Sequence, residues 1–391
     1  MFDVKSNERP SRIDRTLTLA IAGLMAIGVL FICSATTSVE SNRAIPWYNL
    51  LYVRQIFWCV IGLTAAACVC LVDYHRLARW SLVIYAVMIL FLVAVLIKGI
   101  GVERMGARRW IDFGFFQFQP SEFAKLAVIL ALAHFLSRPA EELRHPLTFI
   151  KALALFGLPF LLILPEPDLG SALIMLPIGL VMLYAAGIPV RYIGQLIGGG
   201  VLLIALIMVD ILLAPAGWQI KLEDYQRRRL LVYFGLDGAA PDATAAQRAE
   251  ARREMRNYSY NVEQALISVG SGGFFGKGWR QGTQSSLGYL PRAVAHNDFI
   301  FSVIAEEKGF MGSATVLALY SVVLFTGIRI AGQARDRLGK LLAAGVVALW
   351  FSHVFINIGM NIRIMPVTGV PLPLLSYGGS SVLSSLIAAG I

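Results

Sequence analysis

The chain has 391 residues, of which 57% are hydrophobic and only 15% charged, against about 25% charged in soluble domains. Much of its surface therefore faces lipid, which excludes a water-soluble enzyme. The net charge of +10 does not point to nucleic acid, because Lys and Arg fall in short tracts between apolar runs, as in the cytoplasmic loops of membrane proteins.

Lys5, Arg9, Arg12 and Arg15 precede a first apolar run from Leu17 to Thr36. The run exceeds a signal-peptide core and has no clearly placed small-residue cleavage site behind it, so a retained first helix is expected. A span needs roughly 17–25 mainly apolar residues, and ten candidates occur, at 17–36, 55–72, 80–99, 120–137, 147–164, 170–187, 190–214, 298–329, 338–360 and 374–391. The predicted fold is an all-α integral membrane protein of about ten helices, one polytopic domain over 1–391. The eighth run would reach ~48 Å at 1.5 Å per residue, so it should tilt, protrude or break near Gly309. With the N-terminus inside, the short inner tracts carry thirteen Lys and Arg and the short outer tracts seven, which predicts both termini cytoplasmic.

Residues 215–297 form a long outer segment between the seventh and eighth spans, and connections this long are usually functional or disordered. Its first half, with Ala239-Ala240-Pro241-Asp242-Ala243 and the charged tract from Gln247 to Arg256, reads as solvated. The second half, from Tyr258 to Asp298, is rich in Gly, Ser, Gln and aromatics and reads as structured. Cys33, Cys59, Cys68 and Cys70 lie in apolar runs, where free Cys behaves as a small hydrophobe, and their spacing suits neither a disulfide nor a zinc site.

The polar motifs gather on the predicted outer side. Gln119-Pro120-Ser121-Glu122-Phe123-Ala124-Lys125 opens the fourth span; Pro120 suits a helix start, and Glu122 and Lys125 can pair at i,i+3. Lys125 reads either as part of a cationic patch with Arg108 and Arg109 or as a lysine snorkelling to the interface. Asp168, in Pro165-Glu166-Pro167-Asp168-Leu169-Gly170, caps the next helix or contacts a substrate or cation. The stretch from Gly270 to Trp279 lacks the spacing of a nucleotide-binding loop. Its glycines and Lys277 suit either a close backbone approach to an anion or a tight loop. Asp298 closes the polar segment just before a strongly apolar helix, where it serves either as an N-cap or as a partly desolvated general base. Glu306 and Glu307 lie two turns deeper, with Lys308 as the obvious partner for either. His296 beside Asp298 reads as a lone loop histidine rather than half of a base dyad. Irregular chain from Pro366 to Ser381 enters the tenth span, and non-helical backbone at that depth must be buried in protein or line a cavity.

These motifs, in this order and nearly end to end, resemble the shape, elongation, division and sporulation family, and its rod-shape branch above its division branch. Pro371-Leu372-Pro373 after Val367-Thr368-Gly369 is the rod-type form. The resemblance implies a peptidoglycan glycosyltransferase of the bacterial inner membrane that polymerises lipid II, a disaccharide-pentapeptide on undecaprenyl diphosphate, beside a class B penicillin-binding protein. It further implies Asp298 as the essential aspartate, and Glu122, Lys125, Arg109, Asp168 and Lys277 as substrate-cavity positions. A divalent cation, Mg or Mn, is implied with no defined ligand set. The chain departs from the family pattern at Arg292 (usually Glu), Asn297 (usually Thr), Arg363 (commonly Gly) and Glu166 (usually Gln). A lipid II flippase and a noncatalytic synthase scaffold are the competing readings.

Overall fold

The computed structural model describes residues 13–40, 46–97, 99–104, 107–114, 116–166, 168–213, 231, 233–234 and 244–391. Arg43, Lys98, the first three N-terminal charges and the Ala239–Ala243 tract fall outside these residues, and the Arg292 side chain is likewise not described.

Each of the ten apolar runs is helical. In chain order the helices are α1 (Arg15–Glu40), α2 (Leu51–Cys70), α3 (Tyr74–Arg79), α4 (Ser81–Leu96), α5 (Pro120–Leu136), α6 (Ala140–Leu143), α7 (Pro146–Ile163), α8 (Leu169–Ala186), α9 (Val190–Leu213), α10 (Ala245–Ser271), α11 (Thr283–Ser286), α12 (Arg292–Ala295), α13 (Ile300–Gln333), α14 (Arg337–Asn361) and α15 (Gly379–Gly390). Among the described residues seven of these, α1, α2, α7, α8, α9, α13 and α14, are long and apolar enough to cross a membrane. Helices suit that solvent because they satisfy every backbone group internally. The chain marks its own helix starts: Pro120 and Pro146 occupy first-turn positions, and the carboxylates of Asp73, Asp168 and Asp336 accept from backbone amides as N-caps.

Helix α5 is the centre of the bundle. It contacts α4, α7, α8, α14 and α15, and nearly every residue from Pro120 to Leu136 is buried, charged ones included. Helix α14 packs on α8 and α13, α2 packs on α15, and α1 on α13.

Two elements were not anticipated from the sequence. A three-stranded antiparallel sheet, β1 (Gly101–Arg104), β2 (Ala107–Asp112) and β3 (Gln117–Phe118), sits between α4 and α5. The charged tract from Gln247 to Arg256 is not loop but the first half of α10, a 27-residue helix that packs on α13.

The break expected near Gly309 is present. Gly309 has φ +63° and ψ −155° inside α13, a region that only glycine occupies freely. The Gly-rich stretch after α10 splints the break. Its carbonyls at Gly273 and Phe274 accept from the amides of Phe310 (2.8 Å) and Met311 (3.2 Å). Its amides at Lys277 and Gly278 donate to the carbonyls of Glu306 and Glu307, both at 3.0 Å. Backbone groups freed by the kink are thus paired again, as membrane depth demands. A side chain at Gly309 would meet the Phe274 and Gly273 carbonyl oxygens at 2.7 and 2.8 Å. Gly309→Ala is therefore expected to cost ~1–3 kcal/mol, read as a lower midpoint of thermal unfolding in detergent; an unchanged midpoint would contradict the splint.

Candidate functional site

Three polar clusters lie at the end of the bundle predicted to be outside. The first forms around the start of α5. Lys125 Nζ is 2.7 Å from Glu122 Oε1 and 2.9 Å from His353 Nε2 of α14, and Lys125 and Glu122 are only 1% and 3% exposed. Lys125 therefore does not snorkel; it is buried and paired. Ser384 of α15 donates to the other Glu122 oxygen at 3.3 Å. Asp168 caps α8 through the Ser171 amide at 3.1 Å and also accepts from Gln119 and Ser121, each at 3.1 Å. Arg109 stands 3.7 Å from it, so Asp168 caps the helix and also pairs with a protein side chain. Burial alone would raise the Asp168 carboxyl, but the Arg109 guanidinium and the Ser171 hydrogen bonds hold it below the usual carboxylate range.

Arg108 and Arg109 lie on β2 at a β-bulge, where the register shifts opposite Val102 and Glu103. Arg109 reaches Asp168 and lies over the Trp110 ring, whereas the Arg108 stem packs at Gly101 of β1.

The second cluster surrounds Asp298. It does not cap α13, whose N-cap is Phe299. It ends a turn in which its amide donates to Val294 O at 3.0 Å, and it is half-buried. Its Oδ2 faces Gly369, 3.6 Å from where a Cβ would stand on that glycine. Gly369 holds φ +71°, a conformation that glycine adopts without strain. The Asp298 carbonyl accepts from Asn357 Nδ2 (3.0 Å) and Asn361 Nδ2 (3.1 Å). Ser376 donates to Asn297 O at 2.6 Å, and the Tyr377 amide to His296 O at 3.0 Å. His296 packs its ring edge-on to Tyr377.

His353, Asn357 and Asn361 were missed by sequence reasoning. At i, i+4 and i+8 they line one face of α14, each 4% exposed or less. The signal was legible: polar side chains at helical spacing within an apolar span default to function or tight pairing. His353 and Asn357 hold the irregular segment before α15. Asn357 donates to Val370 O at 2.7 Å, and His353 Nδ1 lies 3.1 Å from Pro371 O. Tyr320 donates to Pro373 O and Gln55 to Ser376 O, at 2.5 and 3.1 Å. That segment is therefore buried in protein, its carbonyls met by side chains.

The third cluster holds Lys277. Its Nζ is 2.7 Å from Glu306 Oε1, which also accepts from Thr283 Oγ1 and the Gln284 amide at 3.0 Å. Glu307 accepts from Ser34 of α1 at 2.5 Å. The expected partner Lys308 bonds neither glutamate in the structure, since adjacent helical residues do not face each other. Two of the loop amides proposed for an anion, those of Lys277 and Gly278, are engaged in splinting α13, and the Lys277 ammonium is half-buried against Glu306.

The departures from the family pattern have local consequences. Arg363 holds φ +61°, the left-handed region that glycine enters without strain. Glu166 is fully buried and, among the described residues, neither carboxyl oxygen has a hydrogen-bond partner. Burial, with the neighbouring Asp168 charge, pushes its carboxyl up to about 9, Arg109 offsetting part of this. A neutral Glu166 resembles the usual Gln in charge and shape. Stability should fall as pH rises from about 4.5, where the unfolded chain loses this proton, to about 9, where the folded chain loses it too. Glu166→Gln is expected to flatten that slope in thermal unfolding; identical slopes would refute a buried neutral acid.

Among the described residues no group of three or more His, Cys, Asp or Glu side chains is arranged to hold a metal. A mainly apolar cavity of about 500 Å³ lies toward the opposite end, between α1, α13, α14 and α15, away from all three polar clusters.

Residues 15–391 match the family model described as cell cycle protein, of FtsW, RodA and SpoVE. The chain is similar to the peptidoglycan glycosyltransferase MrdB of Escherichia coli strain K12, 36% identical over 379 residues, covering 97% of this chain and 92% of that one. It is also similar to the peptidoglycan glycosyltransferase RodA of Treponema pallidum, 34% identical over 429 residues, with 97% and 96% covered. A solved chain from a peptidoglycan synthase complex, in which polymerization and crosslinking are structurally coordinated, superposes with a TM-score of 0.73 at 28% identity, with 97% and 96% covered.

Proposed function

The chain belongs to the cell cycle protein family of FtsW, RodA and SpoVE, membrane-spanning peptidoglycan glycosyltransferases, and on that premise we propose that it polymerises lipid II with Asp298 as general base. The observation that carries this reading is the Asp298 carboxylate beside Gly369, on a main chain clamped by Asn357 and Asn361. A base works when its position is fixed within hydrogen-bond reach of the proton it takes.

The leaving group explains why one base is enough. A diphosphate departs without protonation, unlike the alkoxide of a glycoside, so no acid partner is needed. Asp298 takes the proton of the acceptor 4-hydroxyl; that oxygen bonds to the anomeric carbon of the lipid-linked donor. The carbon–oxygen bond to diphosphate breaks with inversion, and undecaprenyl diphosphate leaves with the electron pair. Lys125 and Arg109, with Lys277 less directly placed because Glu306 holds it, offset the charge that develops. Magnesium commonly binds through one or two carboxylates and the substrate's own phosphates, so a substrate-borne Mg or Mn ion, which would lower the charge on the diphosphate, needs no preassembled protein cage. The tails stay in lipid, which accounts for a polymerase built from membrane helices. A class B penicillin-binding protein as cross-linking partner is proposed from the likeness to the synthase complex. The inner membrane, with both termini cytoplasmic and the three clusters outside, is the corresponding placement.

The test is purified protein reconstituted with lipid II. Glycan strands are expected; translocation of lipid II without polymer would make the chain a flippase, and neither activity would make it a scaffold.

A further inference from the structure

One side chain hydrogen-bonds both halves of the site. His353 Nδ1 faces the Pro371 carbonyl at 3.1 Å, and its Nε2 faces Lys125 Nζ at 2.9 Å. A carbonyl oxygen only accepts and an ammonium only donates. The imidazole must then carry its proton on Nδ1 and offer the Nε2 lone pair to Lys125. Both contacts are met by the neutral ring alone, because a doubly protonated ring would turn an N–H toward the lysine charge.

Pro371 follows Val370, whose carbonyl is held by the same Asn357 amide that holds Asp298 O. A continuous run of hydrogen bonds thus leads from Asp298 through Asn357, the Val370–Pro371 backbone and His353 to Lys125 and Glu122. We propose that His353, as its neutral Nδ1–H tautomer, is a positioning residue that fixes the Lys125 ammonium for the diphosphate and ties it to the segment flanking Asp298. This rests on the polymerase reading above. Lys125 has three N–H donors; Glu122 and His353 take two, and the third is thereby aimed rather than free to rotate.

The test uses the full chain with His353→Gln and His353→Leu. Gln keeps an amide N–H for Pro371 and an oxygen acceptor for Lys125; Leu keeps bulk and neither bond. Binding of undecaprenyl diphosphate is measured on variants that elute folded, in an Asp298→Asn background so that no turnover intervenes. His353→Leu is expected to weaken that binding roughly 10- to 100-fold, the usual effect of losing a group that orients a functional side chain from behind, and His353→Gln to restore most of it. Nitrogen-15 NMR of labelled histidine gives a readout independent of activity: protonated Nδ1 and unprotonated Nε2 at residue 353, with Nε2 alone shifting in Lys125→Met. A proton on Nε2, or folded His353→Leu that binds the diphosphate as tightly as the parent, overturns the proposal. Failure of the wild-type chain to polymerise lipid II would instead overturn the polymerase reading, with tautomer and binding still measurable.

Discussion

Asp298→Asn is expected to insert and fold as the parent does, yet to form no measurable glycan from purified lipid II. The substitution replaces the carboxylate by an amide of nearly the same shape and leaves the main-chain clamp intact, because the carbonyl that Asn357 and Asn361 hold is backbone. General-base catalysis contributes typically 10²–10⁴-fold, so the drop should exceed two orders of magnitude. Parent-like polymer from a folded Asp298→Asn protein would remove Asp298 from the role of base. The variant also separates function from assembly, since a scaffold would tolerate it.

Lys125→Met should be the most destabilising single change at the site. Glu122 would keep its burial and the Ser384 hydrogen bond but lose its counter-charge. Breaking a buried pair by removing one partner costs ~3–5 kcal/mol, whereas replacing both partners by neutral groups is often close to neutral. Both groups are nearly inaccessible, so solvent screening gives little relief. Unfolding in detergent should therefore show Lys125→Met far below the parent, with Glu122→Gln/Lys125→Met recovering much of the loss. Additive effects in the double variant would show that the pair does not interact as the 2.7 Å contact implies.

What could be read from the sequence was local. The length of the eighth run left tilt, protrusion or a break near Gly309 as the options for α13, of which the structure shows the break, and the Glu122–Lys125 pair followed from i,i+3 spacing. Other features depend on residues far apart in the chain. Lys277 and Glu306 meet only because the Gly-rich stretch folds across the kink at Gly309, so the nearer Lys308 was the natural but mistaken partner. Helix α10 is too polar to announce itself by hydropathy and gains its place by packing on α13. Strand β2 was hidden within a short connection, and with it the contact of Arg109 with Asp168. Asp298 looked like an N-cap because Asp before an apolar helix usually is one; here the turn after α12 carries the chain one residue further before α13 begins.

The four carbonyls of Val370, Pro371, Pro373 and Ser376 are held by side chains from α14, α13 and α2. Those three helices cannot turn against one another without breaking at least one buried bond. The bundle therefore has a stiff side and a soft one. Among the described residues, helix α9 meets its neighbours chiefly through α8 and is otherwise exposed along nearly its whole length, and elements with few buried contacts open first. On the polymerase reading, a lipid-borne substrate would enter most easily on the α9 side, while a rocking motion of the whole bundle would have to unlatch the segment beside Asp298.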